Sequence, residues 1–274
     1  MTSKTVGFIG LGDMGAPMAA NLLAKGFGVV SCAHRRREAI EELAQQGLIE
    51  KDNPRLVADD VDILMTIVID EAQTDNVLRG ENGALAGLKS GATIIIMSTL
   101  SPDYCQALGA ELAARDISVI DCPVSGAVMG AENGTLALIA GGGEAAVERC
   151  RAALETMGTI FHCGDLGMGM VAKLANNSIM FATGSLVQEA RGLARAYGMD
   201  MDLLMEIIKS GTADSFIAQN WTHAANFMPD SYKIMLKDLE IVKTVAADKQ
   251  VEMPMLEAHL SKDWEDLAPK FPEL

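Results

Sequence analysis

Val6-Gly7-Phe8-Ile9-Gly10-Leu11-Gly12-Asp13-Met14-Gly15 is the stretch that decides how the rest of the chain reads. A short apolar strand runs into glycines at the G-x-G-x-x-G spacing. A helical pattern follows at once, with Met18, Ala19, Leu22 and Leu23 on one face and a stop at Lys25-Gly26. Strand before and helix after are the context that gives this motif meaning. Gly10 permits a tight turn, Gly12 lets a pyrophosphate approach the backbone, and Gly15 lets helix and strand pack closely. The N–H groups and positive dipole end of the helix then face the phosphates. An ordinary glycine-rich βα loop is the alternative. The flanking elements favour a dinucleotide site formed by Gly10, Leu11, Gly12, Asp13, Met14 and Gly15.

Working outward, strand and helix patterns alternate from residue 4 to about residue 163, the signature of a parallel sheet with crossover helices. Strands are expected near 5–9, 28–33, 62–68, 93–97, 117–121, 135–140 and 159–162. Helices are expected near 14–25, 37–46, 70–78, 101–114 and 144–157. From Gly164 onward the periodicity is helical nearly to the end, and Asp263 through Pro272 reads as a polar tail. The fold class is α/β: an N-terminal Rossmann domain with a parallel-rich sheet over 1–164, then an all-helical domain over 165–274.

The second strand ends in His34-Arg35-Arg36-Arg37, where an NAD-preferring site usually carries a carboxylate for the ribose 2′-hydroxyl. Here the first carboxylate is Glu38. Arginines at a helix start oppose the macrodipole, so an anionic partner is expected there. A 2′-phosphate would supply one through forked guanidinium bonds. The pattern favours NADP over NAD, with Arg35 and Arg36 ahead of Arg37 and His34 near the adenine. A solvated charge run is the plainer reading.

Other strand ends carry further candidates. Ile67 and Val68 leave the third strand where a cofactor wall is expected, although burial alone explains both. Ser98, Thr99 and Ser101 stand before Pro102; each could cap the next helix, or Thr99 could meet the nicotinamide end. Cys122-Pro123-Val124-Ser125-Gly126-Ala127 combines a hydroxyl donor with small residues that expose backbone N–H groups, which suits a carboxylate or a plain turn. In the helical half, Lys173 and Asn177 are four apart and share a face. A lysine in a closed cleft near a helix N-terminus suits general acid/base work at a hydroxyl–carbonyl pair. A snorkelling lysine is the alternative. Met235, Leu239, Val242 and Ala246 mark a core stripe, with Lys237-Asp238 off it. His162, His223 and His259 show no ligand spacing and read as structural, so no metal is expected.

Composition sets the outer bounds. The chain has 274 residues, 49% hydrophobic and 22% charged, with a net charge of −15. That charge argues against nonspecific binding to nucleic acid or anionic membranes. The five cysteines are scattered without a C-x-x-C pair, which fits reduced thiols and a cytoplasmic compartment. No apolar run approaches the length of a membrane span.

Together, the glycine-rich start, Asp121-Cys122-Pro123-Val124-Ser125-Gly126, Gly167-Met168-Gly169-Met170-Val171-Ala172-Lys173-Leu174-Ala175-Asn176-Asn177 and Lys237-Asp238-Leu239 resemble the β-hydroxyacid dehydrogenase family, including its 3-hydroxyisobutyrate dehydrogenases. The resemblance spans almost the whole chain. It implies hydride transfer between NADP(H) and a short β-hydroxy acid or its aldehyde- or keto-acid partner. It also implies a catalytic role for Lys173, substrate placement by Asn177, carboxylate binding by Ser125 and Gly126, and cofactor contact by Thr99 and Lys237. Homodimers or homotetramers formed through the helical domains are the implied assembly. Cys122 stands where many members have alanine, and Ala127 where many have a third glycine. Asn176-Asn177 replaces the His-Asn of 6-phosphogluconate dehydrogenases, and imine reductases usually lack the lysine. An imine or other carbonyl reductase of this fold, and a noncatalytic NADP-binding scaffold, are the rival readings.

Overall fold

The computed structural model describes residues 5–33 and 37–271. The chain divides into two compact units, Met1–Lys173 and Leu174–Leu274, and the helix Met168–Ala196 runs through the division.

The first unit is built on a parallel sheet of six strands: β1 (Thr5–Ile9), β2 (Gly28–Ser31), β3 (Ile49–Glu50), β4 (Ile63–Thr66), β5 (Thr93–Ile96) and β6 (Ser118–Asp121). Their order is β3-β2-β1-β4-β5-β6. The order reverses beside β1, so the carboxyl ends of β1 and β4 flank the switch point where ligands bind in open α/β sheets. Side chains alternate between two cores. Val6, Phe8, Ile63, Met65, Ile95 and Met97 join Met18 and Leu22 of the helix Gly15–Ala24 in one core. Ile9, Leu64, Ile94 and Ile96 join Leu78, Leu108 and Leu112 in the other. With both faces covered, the strands become continuous apolar runs. Cys122 and Cys150 belong to the first core and Cys105 to the second; all are free and buried.

The expected single parallel sheet does not extend to residue 163. β8 (Leu136–Ala140) and β9 (Gly158–His162) pair in parallel within a separate sheet, completed by antiparallel β7 (Val124–Ser125). Pro123 has no N–H with which to continue the ladder beyond β6. The antiparallel bridge Asp121↔Gly141 links strand β6 to the chain leaving β8. Short elements that periodicity does not reveal are β3, β7 and the helices Pro54–Ala58 and Ala127–Asn133.

Among the described residues of the second unit there is no strand. The helices Met201–Ser210, Trp221–Asp248 and Pro254–Leu260 and the later turns of Met168–Ala196 enclose a core of Leu174, Met205, Trp221, Met235, Leu239 and Val242. The expected polar tail is instead part of this core. Residues Trp264–Leu267 form a helix, and Trp264 and Phe271 are buried with ring centroids 6.4 Å apart. Phe271 also lies 5.6 Å from the Trp221 ring. Aromatic burial outweighs the surrounding acidic residues, which stay on the outer face. No helix among the described residues is long and apolar enough to cross a membrane.

Candidate active site

The glycine loop is tight on its inner side and open on its outer side. Gly10 has φ +107°, and a Cβ there would lie 2.0 Å from the Ile67 carbonyl oxygen. A Cβ on Gly15 would lie 1.8 Å from the Gly10 oxygen, so turn and helix pack backbone against backbone. At Gly12 the corresponding position meets no atom within 4 Å. Met14, at the N-cap, offers no side-chain cap to the helix Gly15–Ala24, whose first turn has no acidic residue. Such a loop fits a pyrophosphate, with bare backbone and a positive dipole end in place of side chains. Leu11 and Asp13 belong to the same turn.

Ile67 and Val68 leave β4 beside this loop, both half-buried. Ile67 N–H donates to the Ile9 oxygen at 2.9 Å, and Val68 N–H donates to Ser98 Oγ at 2.8 Å. The three residues before Pro102 thereby separate. Ser98 ties the exits of β4 and β5 together. Ser101 caps the helix Pro102–Ala113 by accepting from Asp103 N–H at 3.2 Å. Thr99 lies between them, half-buried.

The basic cluster after β2 is described only at Arg37; His34, Arg35 and Arg36 lie outside the described residues. Arg37 is bidentate to Glu50, both bonds 3.0 Å, and its Nε donates to Glu41 at 3.0 Å. The anionic partners of this arginine are the chain's own carboxylates.

Ser125 ends β7, paired with Ala137 of β8. Gly126 (φ +136°) and Ala127 (φ +56°) turn the chain sharply into the helix Ala127–Asn133. Ser125 and Gly126 are half-buried.

The helix Met168–Ala196 starts on a buried carboxylate. Asp121, at the end of β6, is fully buried. Its Oδ1 accepts from Gly167 N–H at 2.7 Å and its Oδ2 from Met170 N–H at 2.6 Å. Burial pushes this carboxyl above the usual range, and the amide bonds oppose that shift. Lys173, half-buried, follows one turn after Met170. One turn further, Asn177 is only 2% exposed, and its Nδ2 donates to Asp238 Oδ2 at 2.7 Å. Asp238 Oδ1 lies 2.8 Å from Lys237 Nζ. Asn177 and Lys237 therefore converge on one buried carboxylate.

Apolar periodicity sets Asp238 off the core stripe, yet Asp238 is only 4% exposed. It is buried because it faces a polar partner on another helix, which apolar periodicity does not register. At Asp121 the sequence pattern shows a strand end and does not register its bonds to a helix start 46 and 49 positions on. Two of the histidines contact groups near them. His162 Nε2 lies 2.8 Å from the Gly142 oxygen, and His223 stacks on Phe227 one turn away.

A reversing parallel sheet with a bare glycine loop at its switch point defines a dinucleotide-binding protein of the Rossmann class. The profile of the NAD binding domain of 6-phosphogluconate dehydrogenase matches residues 5–184. That of the NAD-binding region of NADP-dependent 3-hydroxyisobutyrate dehydrogenase matches residues 167–262. The chain is 35% identical over 263 residues to the 3-sulfolactaldehyde reductase of Escherichia coli, covering 91% of this chain and 86% of that protein. It is 30% identical over 262 residues to a 3-hydroxyisobutyrate dehydrogenase of Pseudomonas aeruginosa, covering 91% and 88%. A solved structure of the Mycobacterium tuberculosis 3-hydroxyisobutyrate dehydrogenase with L-serine matches with a TM-score of 0.83 at 28% identity, covering 100% of this chain and 94% of that one. The chain belongs to the β-hydroxyacid dehydrogenase family, with the 3-hydroxyisobutyrate dehydrogenase-like members, and carries the family's NAD(P)-binding domain.

Proposed function

We propose that the protein is an NADP-dependent reductase or dehydrogenase acting on a short β-hydroxy acid and its aldehyde- or keto-acid partner. The observation that carries this reading is Lys173, set one turn into the helix that begins on the buried Asp121 carboxylate. The residues that would hold the dinucleotide are Gly10, Leu11, Gly12, Asp13, Met14, Gly15, Ile67, Val68, Thr99 and Lys237, with His34, Arg35 and Arg36 toward a 2′-phosphate. A bound nicotinamide supplies hydride exchange with the substrate carbon.

The chain's own residues position substrate and move a proton. Ser125 Oγ and the Gly126 N–H bind the substrate carboxylate. Lys173 Nζ gives a proton to the substrate oxygen in reduction and takes it in oxidation. Asn177, its Nδ2 donating to Asp238 and its Oδ1 accepting from Asn176 Nδ2 at 3.3 Å, orients the substrate oxygen. The helical region from 165 onward carries the residues that select the substrate. It also carries the assembly surface of a homodimer or homotetramer, for which Ile179, Leu186 and Leu193 are exposed at seven-residue intervals on one helix.

Initial rates with NADPH and NADH against C3–C5 aldehyde acids, with cyclic imines as the contrast, test the reading. NADPH and the acids are the expected preference. A strong preference for NADH removes the arginine argument, and turnover of imines alone replaces the substrate class. Lys173→Ala should lower turnover at least ~10²-fold, the lower bound for acid–base catalysis, with cofactor affinity nearly unchanged. Wild-type turnover in that variant rejects the lysine.

A further inference from the structure

We infer that Asp121 is a positioning residue for the reaction: its buried carboxylate locks the helix that carries Lys173 to the strand that leads into Ser125 and Gly126. The inference rests on the proposed role of Lys173.

The lock has unusual construction. A fully buried carboxylate is costly unless its oxygens are satisfied, and here the partners are the backbone amides of Gly167 and Met170. These are first-turn N–H groups, the ones a helix cannot bond internally. A serine or asparagine at the N-cap would normally serve one or two of them from within the same segment. Here the cap comes from 46 and 49 positions earlier in the chain. A distant cap does what a local one cannot, since it fixes the helix start against another element. Asp121 backbone also exchanges bonds with Gly141, donating to its oxygen at 3.0 Å and accepting from its N–H at 2.7 Å.

Two glycines leave room for the carboxylate. A Cβ on Gly141 would lie 2.4 Å from Asp121 Oδ1, and one on Gly169 would lie 2.8 Å from Oδ2. Both are conformationally expensive residues, Gly169 inside a helix. The surroundings are thus shaped around two oxygens accepting in two directions, which holds the helix against both sliding and rotation. Lys173 lies one turn past the Met170 bond. Ser125 lies four residues past Asp121 on the other arm. Displacing a catalytic group by about 1 Å can cost about 10²-fold in rate, so a joint between these two segments controls the chemical step more than binding.

Asp121→Asn keeps the shape but turns one acceptor into a donor facing an N–H. Asp121→Ser is a smaller neutral cap that serves as the second variant. The measurements are kcat and KM for cofactor and for acid substrate in wild type, both Asp121 variants, Lys173→Ala and the Asp121→Asn/Lys173→Ala double variant. Circular dichroism and NADPH binding monitor the fold. The expected result is a loss in kcat of roughly 10- to 100-fold, cofactor KM within about twofold of wild type, and no further loss when Asp121→Asn is added to Lys173→Ala. Additive losses in the double variant, a change confined to KM, wild-type kcat in a folded variant, or failure of both variants to fold would each overturn the inference. If Lys173→Ala alone retains full turnover, the lysine reading fails first, and the cycle identifies that outcome separately.

Discussion

Ala127 carries a backbone conformation made for glycine. Its φ of +56° places a β-carbon in the left-handed region, immediately after Gly126 at φ +136°. A left-handed L-residue costs roughly 1–2 kcal/mol, partly offset by alanine's smaller loss of chain entropy on folding. Ala127→Gly should therefore stabilise the protein by about 0.5–1 kcal/mol, seen as a higher urea midpoint at unchanged slope. A midpoint that stays or falls would show that the turn is relaxed with alanine in place. The sequence marked this position as a departure from the family pattern, but only the backbone shows what the departure costs. Legibility at this scale followed the chemistry. Gly10 and Gly15 were readable because the steric need is local and a motif records it. Asp121 and Asp238 were not, because their partners lie 46 and 61 positions away.

At the scale of elements, the helix Pro254–Leu260 packs on the helix Met168–Ala196 through a polar contact inside an apolar setting. His259 Nδ1 lies 3.2 Å from Ser185 Oγ, its ring is 4.7 Å from Trp264, and its carbonyl accepts from Trp264 Nε1 at 3.0 Å. Burial pushes the imidazole down to about 4, Lys262 adds to the shift, and Glu189 opposes it. The unfolded chain takes up that proton near the ordinary value of 6.5, while the folded chain resists until about 4. Stability is thus full above about 6.5 and falls as pH drops toward 4. Urea midpoints at pH 7.5 and pH 5.0 should differ more in wild type than in His259→Gln; equal slopes with pH would exclude the histidine as the cause. Helices were readable wherever one apolar stripe decided them, as for Met235, Leu239 and Val242. The segment after Asp263 reads as a polar tail because acidic residues dominate it, although Trp264 and Phe271 are both buried in the fold. Pattern counts average over a window, whereas burial is decided ring by ring.

For the whole molecule, alternation of strand and helix was enough to establish the Rossmann sheet, because parallel strands need covered faces and long crossovers. It was not enough to locate where that sheet stops. β8 has much the same apolar character as β4 and β5, and the six-stranded ladder ends where Pro123 has no N–H to continue it. The two cores of the six-stranded sheet also hold their own chemical reporters, Cys105 on one face and Cys122 with Cys150 on the other. Burial pushes all three thiols up, Cys150 to about 11, so in the closed protein they are poor nucleophiles, whereas Cys163 is exposed. A maleimide should modify Cys163 in the native state and the core thiols only when their face opens. Since the same six strands wall both faces, neither can part from the sheet without loosening the other. Alkylation of Cys105, Cys122 and Cys150, followed by peptide mass in rising sub-denaturing urea, should then accelerate with one common slope; diverging slopes would mean the layers detach independently. Arranged in this way, the cysteines make the sheet a two-sided gauge of its own cooperativity.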